Sequence, residues 1–462
     1  MVATLFNGRA TRNFRVTLLP QIPILSRVPV RSRGVAVNRI ELIALLFAAV
    51  VGLGILANWI KIAYPILLVV GGLILSLQDG APKFALDPDI VFLVFLPPLL
   101  YAAAFNTQWP AFRTQLRSIG LLAIGLVLFT TAVVTFVCHS YLDLPWTVGM
   151  LLGAIISPPD AVAAAAITKR VRIPRIVSTI LEGESLVNDA SALVAYRIAI
   201  GAVIYGGFGW SDAGWQFLAA SIGGIAIGLA GAWAVIRFHR WLDKRGIADT
   251  KLQIAITLLT PFAVYLPAEH FHVSGVLAVV AAGLWVGSRC KRTFSREFYI
   301  EARAVWEMLE FLLNGLVFIL IGFQLPVILE NLGGTRSLDY LIGATVILSV
   351  SVIVARIVWV FPGAYVPRWL DRAITGRGDP YPPWQSVAVV AWTGMRGVVS
   401  LAAAMALPAS IDLETRSLIQ FITFWVIFAT LVLQGLSLPL LIGALRVERF
   451  VEPEPDVEEA GC

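Results

Sequence analysis

The sequence has few charged residues for its length. Only 14% of its 462 residues are Asp, Glu, Lys or Arg, whereas 58% are hydrophobic. A soluble globular protein carries about 25% charged residues. The shortage of charge argues against an ordinary soluble enzyme or binding domain, and it makes the apolar segments the main source of structural information.

Cysteine and histidine are also scarce. The three cysteines (Cys138, Cys290 and Cys462) are widely separated, and neither they nor the four histidines follow a metal-ligand spacing. We therefore expect no resident metal and no bound cofactor. The net charge of +6 fits the cytoplasmic Lys and Arg of a membrane protein, so we expect membrane lipid and not nucleic acid as a partner.

What the sequence has in abundance is long apolar runs. A helix needs about 20 apolar residues to cross a bilayer, and runs without alternation are not those of a transmembrane barrel. We predict an all-α polytopic membrane protein with about 13 transmembrane helices. The spans are expected at residues 40–60, 62–78, 87–106, 117–141, 146–168, 176–206, 214–237, 251–267, 272–288, 303–328, 339–362, 385–408 and 417–443.

The charges between the spans predict the orientation. Lys and Arg cluster in alternate loops, which the positive-inside rule places in the cytoplasm together with the C-terminus. These loops are at 169–175, 237–251, 289–303 and 363–384. We expect a basic N-terminal tail at 1–39, a transmembrane domain at 40–445 and a short acidic cytoplasmic tail at 446–462.

The N-terminal tail conflicts with this orientation. Thirteen spans put it outside, yet its seven Arg and its lack of acids favour the inside. One miscounted span, or a start of the mature chain near Val35 or Val37, would remove the conflict.

The stretch "EGESLVNDASALVAYR" at 182–197 brings acids into an apolar span. On a helix, Ser185, Asn188 and Asp189 share one face. A hydroxyl, an amide carbonyl and a carboxylate suit a small hard cation, which prefers oxygen ligands. The alternative is a cluster of helix caps. The position of Asp189, well past the basic loop that ends at Arg175, favours an ion site.

The span at 146–168 contains two consecutive prolines, Pro158 and Pro159. Each removes a backbone N–H and clashes with the preceding turn, so we expect the helix to break there. Broken membrane helices form ion sites in secondary transporters. Asp160 follows the break and can cap the second half-helix, although a simple kink with Asp160 as its cap is the alternative.

A second interruption is predicted in the span at 385–408, where Gly394 and Gly397 flank Arg396. One broken helix in each half of the chain is the pattern that an inverted repeat produces. Arg356 is another cation within an apolar span. Because a buried charge persists only when paired, Glu184 is its expected partner.

At these residues the sequence resembles the bacterial cation/proton antiporters of the sodium/proton exchanger type. The resemblance runs from about residue 40 to 445 in the expected order. Its blocks are "FLPPLLYAAAF" (95–105), "ISPPDAVAA" (156–164), "EGESLVNDASAL" (182–193), "LLNGLVFILIGFQL" (312–325) and "GMRGVVSLAAAMALP" (394–408).

The resemblance implies a homodimer in the plasma membrane, with two crossed, unwound helices in a mobile core. It implies that Asp189 binds the cation or proton, with Ser185 and Asp160 as further ligands of transported Na⁺. It also implies a structural Glu184–Arg356 pair.

Two departures from the family pattern bear on the ligand set. Pro159 stands where the family often has Thr, so only its carbonyl can serve. Some relatives carry an acid just after the "LPPLL" block, where this chain has Tyr101 and three alanines.

The expected function is therefore antiport of a monovalent cation, Na⁺ in the first instance, against H⁺. We expect electroneutral exchange by alternating access, with cation and proton competing for Asp189. A K⁺/H⁺ antiporter with the same site is the main alternative. An ion channel would need a carbonyl filter loop, and no stretch of the sequence has the pattern of one. An intramembrane aspartyl protease using Asp160 and Asp189 is disfavoured because the one Gly-Asp pair, Gly378-Asp379, lies in a loop.

Overall fold

The structure is a computed structural model that describes residues 39–78, 88–168, 171, 173–206, 209–247, 249–332, 336–375 and 380–450. The basic tail up to residue 38, most of the acidic tail and the Gly378-Asp379 pair lie outside the described residues. The boundaries of the two tails therefore stay predictions.

The first half of the described chain folds into ten helices. They are α1 (Arg39–Trp59), α2 (Tyr64–Ser76), α3 (Pro88–Ile90), α4 (Leu96–Asn106), α5 (Trp109–Thr114), α6 (Leu116–Gly120), α7 (Val127–Leu142), α8 (Trp146–Ile156), α9 (Ala161–Thr168) and α10 (Arg175–Tyr205). Wider π turns at Val91–Phe95 and Leu121–Leu126 join α3 to α4 and α6 to α7.

The second half adds nine helices and a closing 3₁₀ turn at Val447–Phe450. They are α11 (Trp210–Lys244), α12 (Thr250–His270), α13 (Gly275–Thr293), α14 (Arg296–Phe323), α15 (Leu325–Leu332), α16 (Leu338–Thr375), α17 (Trp384–Trp392), α18 (Val398–Met405) and α19 (Leu413–Leu445).

The all-helical prediction is confirmed, and helix occupies each of the thirteen predicted ranges. Within the described part of the chain, eight helical segments are long and apolar enough to cross a membrane, and four shorter helices are apolar as well. The number of spans stays a prediction, because the two broken helices each count as one span only if both of their halves lie in the membrane.

Three of the predicted basic loops are partly helical, so the prediction of loop structure there is wrong in part. The helix α11 continues to Lys244, α14 begins at Arg296, and α16 runs through Pro362 and Pro367 to Thr375. Lys and Arg are good helix formers, so nothing in these segments requires the helix to end at the membrane surface.

Buried apolar side chains form two clusters. One is built mainly from α1, α2, α7–α9 and α15–α19, and the other from α4, α11–α13 and the first half of α14. The helix α10 contributes to both: Leu181 and Tyr196 belong to the first cluster, whereas Leu186 and Ala190 belong to the second. The acidic stretch therefore lies on a helix that packs in both clusters.

Candidate cation site

Two interrupted helices cross at the centre of the candidate site. The chain is unwound at residues 157–160, between α8 and α9, and at residues 393–397, between α17 and α18. The backbone N–H of Asp160 donates to the carbonyl oxygen of Met395, at an N–O distance of 2.7 Å. This hydrogen bond joins the two unwound segments directly, and it satisfies backbone groups that lost their helical partners.

The residues at the crossing explain why both helices break. Pro158 and Pro159 cannot donate the backbone hydrogen bonds that a continuous helix requires. On the other segment, a Cβ atom at Gly397 would overlap with the Asp160 carboxylate, and one at Gly394 would press against a neighbouring arginine side chain. Gly397 is therefore required by the close approach of the two segments, and Gly394 by the close approach of the Arg356 side chain.

Charged side chains lie at the ends of the half-helices. Asp160 Oδ1 accepts from the backbone N–H of Val162, at 2.7 Å, in the first turn of α9. The fully buried Arg396 donates from Nε to the Ile156 carbonyl at the end of α8, at 2.8 Å, and from Nη1 to the Gly394 carbonyl. An acid at a helix N-terminus and a cation at a helix C-terminus are both favoured by the helix dipole.

The helix α10 carries a buried ion pair beside the crossing. Arg356 Nη1 lies 2.5 Å from Glu184 Oε1, and Arg356 Nη2 lies 2.8 Å from Glu184 Oε2. Arg356 Nε also donates to the Val390 carbonyl, at 3.1 Å. Both side chains are almost completely removed from solvent. The pair thus ties α10 to α16 and to the last turn of α17.

Asn188 connects α10 to the first unwound segment. Its Nδ2 donates to the Pro159 carbonyl at 2.9 Å. Since a carbonyl can only accept, this contact fixes the orientation of the amide. Asn188 is fully buried, and among the described residues its Oδ1 has no hydrogen-bond donor. An unpaired buried oxygen is costly, and a cation ligand would satisfy it.

Asp189 is buried and close enough to Asp160 for the two carboxylates to interact electrostatically. Its neighbours Leu186 and Ala190 pack in the second apolar cluster. Ser185 lies one helical turn before Asp189, on the same face of α10. Two carboxylates and several neutral oxygens therefore converge where the crossing meets α10.

A small cavity opens at this point, with room for about one water molecule. Four of its lining residues were predicted as site residues, and two of these four are acids. Its lining residues are Pro159, Asp160, Ala164, Leu181, Glu184, Ser185 and Thr393.

The structure brings the candidate site residues predicted from the sequence to this one region. Three residues of the cavity were missed: Ala164, Leu181 and Thr393. The apolar pair carried no signal in the sequence. Thr393 did carry one, because it is the polar residue directly before the glycine interruption of a membrane helix.

The chain matches known proteins over most of its length. The family model described as sodium/hydrogen exchanger, transmembrane, matches residues 45–443. An uncharacterized Na⁺/H⁺ exchanger of Mycobacterium bovis is 34% identical over 430 residues, which cover 90% of this chain and 76% of the relative.

Two further matches concern named antiporters. A sodium, potassium, lithium and rubidium/H⁺ antiporter of Bacillus pumilus is 31% identical, over 86% of this chain and 60% of its own length. The sodium proton antiporter MjNhaP1 of Methanocaldococcus jannaschii, at pH 8, superimposes with a TM-score of 0.66 at 21% identity, covering 88% of this chain and 98% of that one. At that identity the likeness shows the fold alone. With the family match and the crossed helices, these findings show that the chain belongs to the sodium/hydrogen exchanger family and is a multi-pass membrane antiporter of cations and protons.

Proposed function

We propose that this antiporter exchanges Na⁺ for H⁺ and that Asp189 is the residue for which the two ions compete. The observation that carries the proposal is the buried Asp189 carboxylate, next to Asp160 and one turn from Ser185. The proposed ligands of the transported cation are Asp189, Asp160, Ser185 and the Asn188 amide oxygen. The Pro159 carbonyl is a further candidate, since a carbonyl oxygen has two lone pairs and Asn188 occupies one.

The proposed mechanism is alternating access. Asp189 binds either a proton or a cation, and either one neutralises its charge. Movement of an unneutralised carboxylate past apolar groups in the membrane is costly, so the site changes sides only when loaded. This rule couples cation flux in one direction to proton flux in the other.

We further propose that the exchange is one-for-one and electroneutral. Asn188 carries no charge at any physiological pH. The Glu184 carboxylate is held in a buried ion pair by Arg356. Asp189 then remains as the main titrating group, unless Asp160 also binds and releases a proton during the cycle.

Potassium is the alternative cation. The Bacillus pumilus relative is named for sodium, potassium, lithium and rubidium, and the proposed oxygen ligands suit any of these ions. The same alternating-access scheme applies to K⁺ without change.

The cellular setting forms part of the proposal. The protein is placed in the plasma membrane as a homodimer with a cytoplasmic C-terminus, in accordance with the basic loops and the resemblance. It transports ions without converting a substrate chemically, and the ions are its only ligands.

Transport by the purified protein in liposomes tests the proposal. A pH gradient is imposed, and Na⁺, Li⁺ and K⁺ are compared by a pH-sensitive dye inside the vesicles. We expect Na⁺ to dissipate the gradient at the lowest concentration. A lower half-saturating concentration for K⁺ would select the alternative, and ion flux without coupled proton movement would indicate a channel.

A further inference from the structure

The second unwound segment contributes Thr393 to the wall of the cavity. Thr393 is the first residue after α17, is only 3% exposed, and faces the cavity together with Asp160 and Ser185. We propose that Thr393 supplies an oxygen ligand to the transported cation and helps to determine which cation is preferred. The inference rests on the proposed function, since it places the cation between α10 and the crossing.

The hydrogen bonds of Thr393 leave its oxygen able to act as a ligand. Thr393 Oγ1 lies 3.0 Å from the carbonyl oxygens of both Val389 and Val390. Carbonyls only accept, so the hydroxyl proton points to them. The lone pairs of the oxygen then stay available to a cation.

The other residues of the cavity wall offer few oxygen atoms to a cation. Pro159 has no side-chain hydroxyl, and its carbonyl already accepts a hydrogen bond from Asn188. Among the described residues that line the cavity, Ser185 is the other one with a side-chain hydroxyl. A hard cation that leaves water needs several oxygen ligands to replace its hydration shell.

The size of the cavity makes each wall oxygen important for selectivity. Room for about one water molecule leaves no space for a hydrated ion. The cation must shed most of its water, so its affinity depends on the number and spacing of the oxygens that replace that water. Because Thr393 lies in the second unwound segment and Ser185 on α10, the distance between them limits the radius of the ion.

A purely structural role for Thr393 is the competing explanation, since its hydroxyl also caps the last turn of α17. The test uses Thr393→Val, which keeps the β-branched shape and removes the oxygen, and Thr393→Ser, which keeps the oxygen. Thr257→Val is the matched control: Thr257 is fully buried in α12, its hydroxyl donates to the Ile254 carbonyl at 2.7 Å, and it lies outside the cavity.

The readouts are the half-saturating concentrations of Na⁺, Li⁺ and K⁺ in liposomes, and the melting temperature of the purified protein without and with Na⁺. We expect Thr393→Val to raise the half-saturating Na⁺ concentration by about tenfold or more, as for a lost interaction with a charged partner. It should also change the Na⁺/K⁺ preference and reduce the rise in melting temperature that Na⁺ produces. Thr393→Ser should restore most of the affinity, and Thr257→Val should behave as wild type.

An unchanged half-saturating concentration and ion preference in folded Thr393→Val would overturn the inference. If that variant does not fold, Thr393→Ala is measured in the same way. If neither variant folds, the hydroxyl is assigned to helix capping alone, and the inference is overturned as well. The proposed function is tested separately. It fails if the Asp189→Asn variant moves protons as well as the wild type does.

Discussion

Arg356 and Glu184, which are 172 positions apart in the sequence, form a two-pronged ion pair in the protein interior, with N–O distances of 2.5 and 2.8 Å. Neither side chain has appreciable contact with solvent. The geometry matches the fork of a guanidinium to the two oxygens of a carboxylate, which gives the strongest form of this interaction.

Removal of either partner should therefore damage folding. We expect Glu184→Ala and Arg356→Ala each to destabilise the protein by about 3–5 kcal/mol, because each leaves one buried charge without its partner. The measurements are the yield of detergent-soluble protein and its melting temperature. Arg303→Ala is the control, since Arg303 pairs with Glu307 on an exposed surface, where such pairs contribute at most about 1 kcal/mol. Two single variants with wild-type yield and stability would contradict the structural role of the pair.

Asp189→Asn should abolish cation-dependent proton movement while the protein stays folded. The amide keeps the size of the side chain but cannot exchange a proton for a cation. Transport in liposomes and the melting temperature of the same preparation check the two parts of this prediction. Asp339→Asn, in the exposed first turn of α16, is the matched control and should transport normally. Any Na⁺-dependent proton movement by purified Asp189→Asn would contradict the central role of this carboxylate.

Gly397→Ala should impair transport, because the added methyl group would overlap with the Asp160 carboxylate. Overpacking of this kind typically costs about 1–3 kcal/mol, and here relief requires movement of a proposed cation ligand. We expect a half-saturating Na⁺ concentration raised by about tenfold or more, or complete loss of exchange. Gly343→Ala on α16 is the control, since no atom lies within 4 Å of the added methyl group. Equal transport by the two variants would show that the close approach at the crossing is not needed.

Exchange should be insensitive to the membrane potential. One-for-one replacement of a monovalent cation by a proton moves no net charge, whereas each uncompensated charge would contribute about 2.3 kcal/mol per 100 mV. The measurement is the equilibrium Na⁺ distribution at fixed pH gradient in liposomes, with the potential set by K⁺ and valinomycin. A shift of that equilibrium with potential would exclude one-for-one coupling. The same measurement with the Asp160→Asn variant then tests whether Asp160 carries a second proton.

The sequence by itself determined the membrane class of the protein and where its helices break. The apolar runs are too long for any other environment, and the broken spans contain residues that act locally, Pro158 and Pro159 in one and Gly394 and Gly397 in the other. The sequence also indicated the pairing of Glu184 with Arg356, because charges within apolar spans are few and each needs a partner. The limits of α11, α14 and α16 were not predictable, since Lys and Arg are compatible with both helix and loop.

Only the tertiary structure decided how the two unwound segments meet. The hydrogen bond from Asp160 to Met395, the contact of Arg396 with Ile156 and the position of Thr393 beside Ser185 all join segments that are distant in the chain. The orientation of the Asn188 amide was likewise fixed by Pro159, a residue of the first unwound segment. Local sequence sets which backbone groups lose their helical partners, but the packing of the whole bundle selects the partners that replace them.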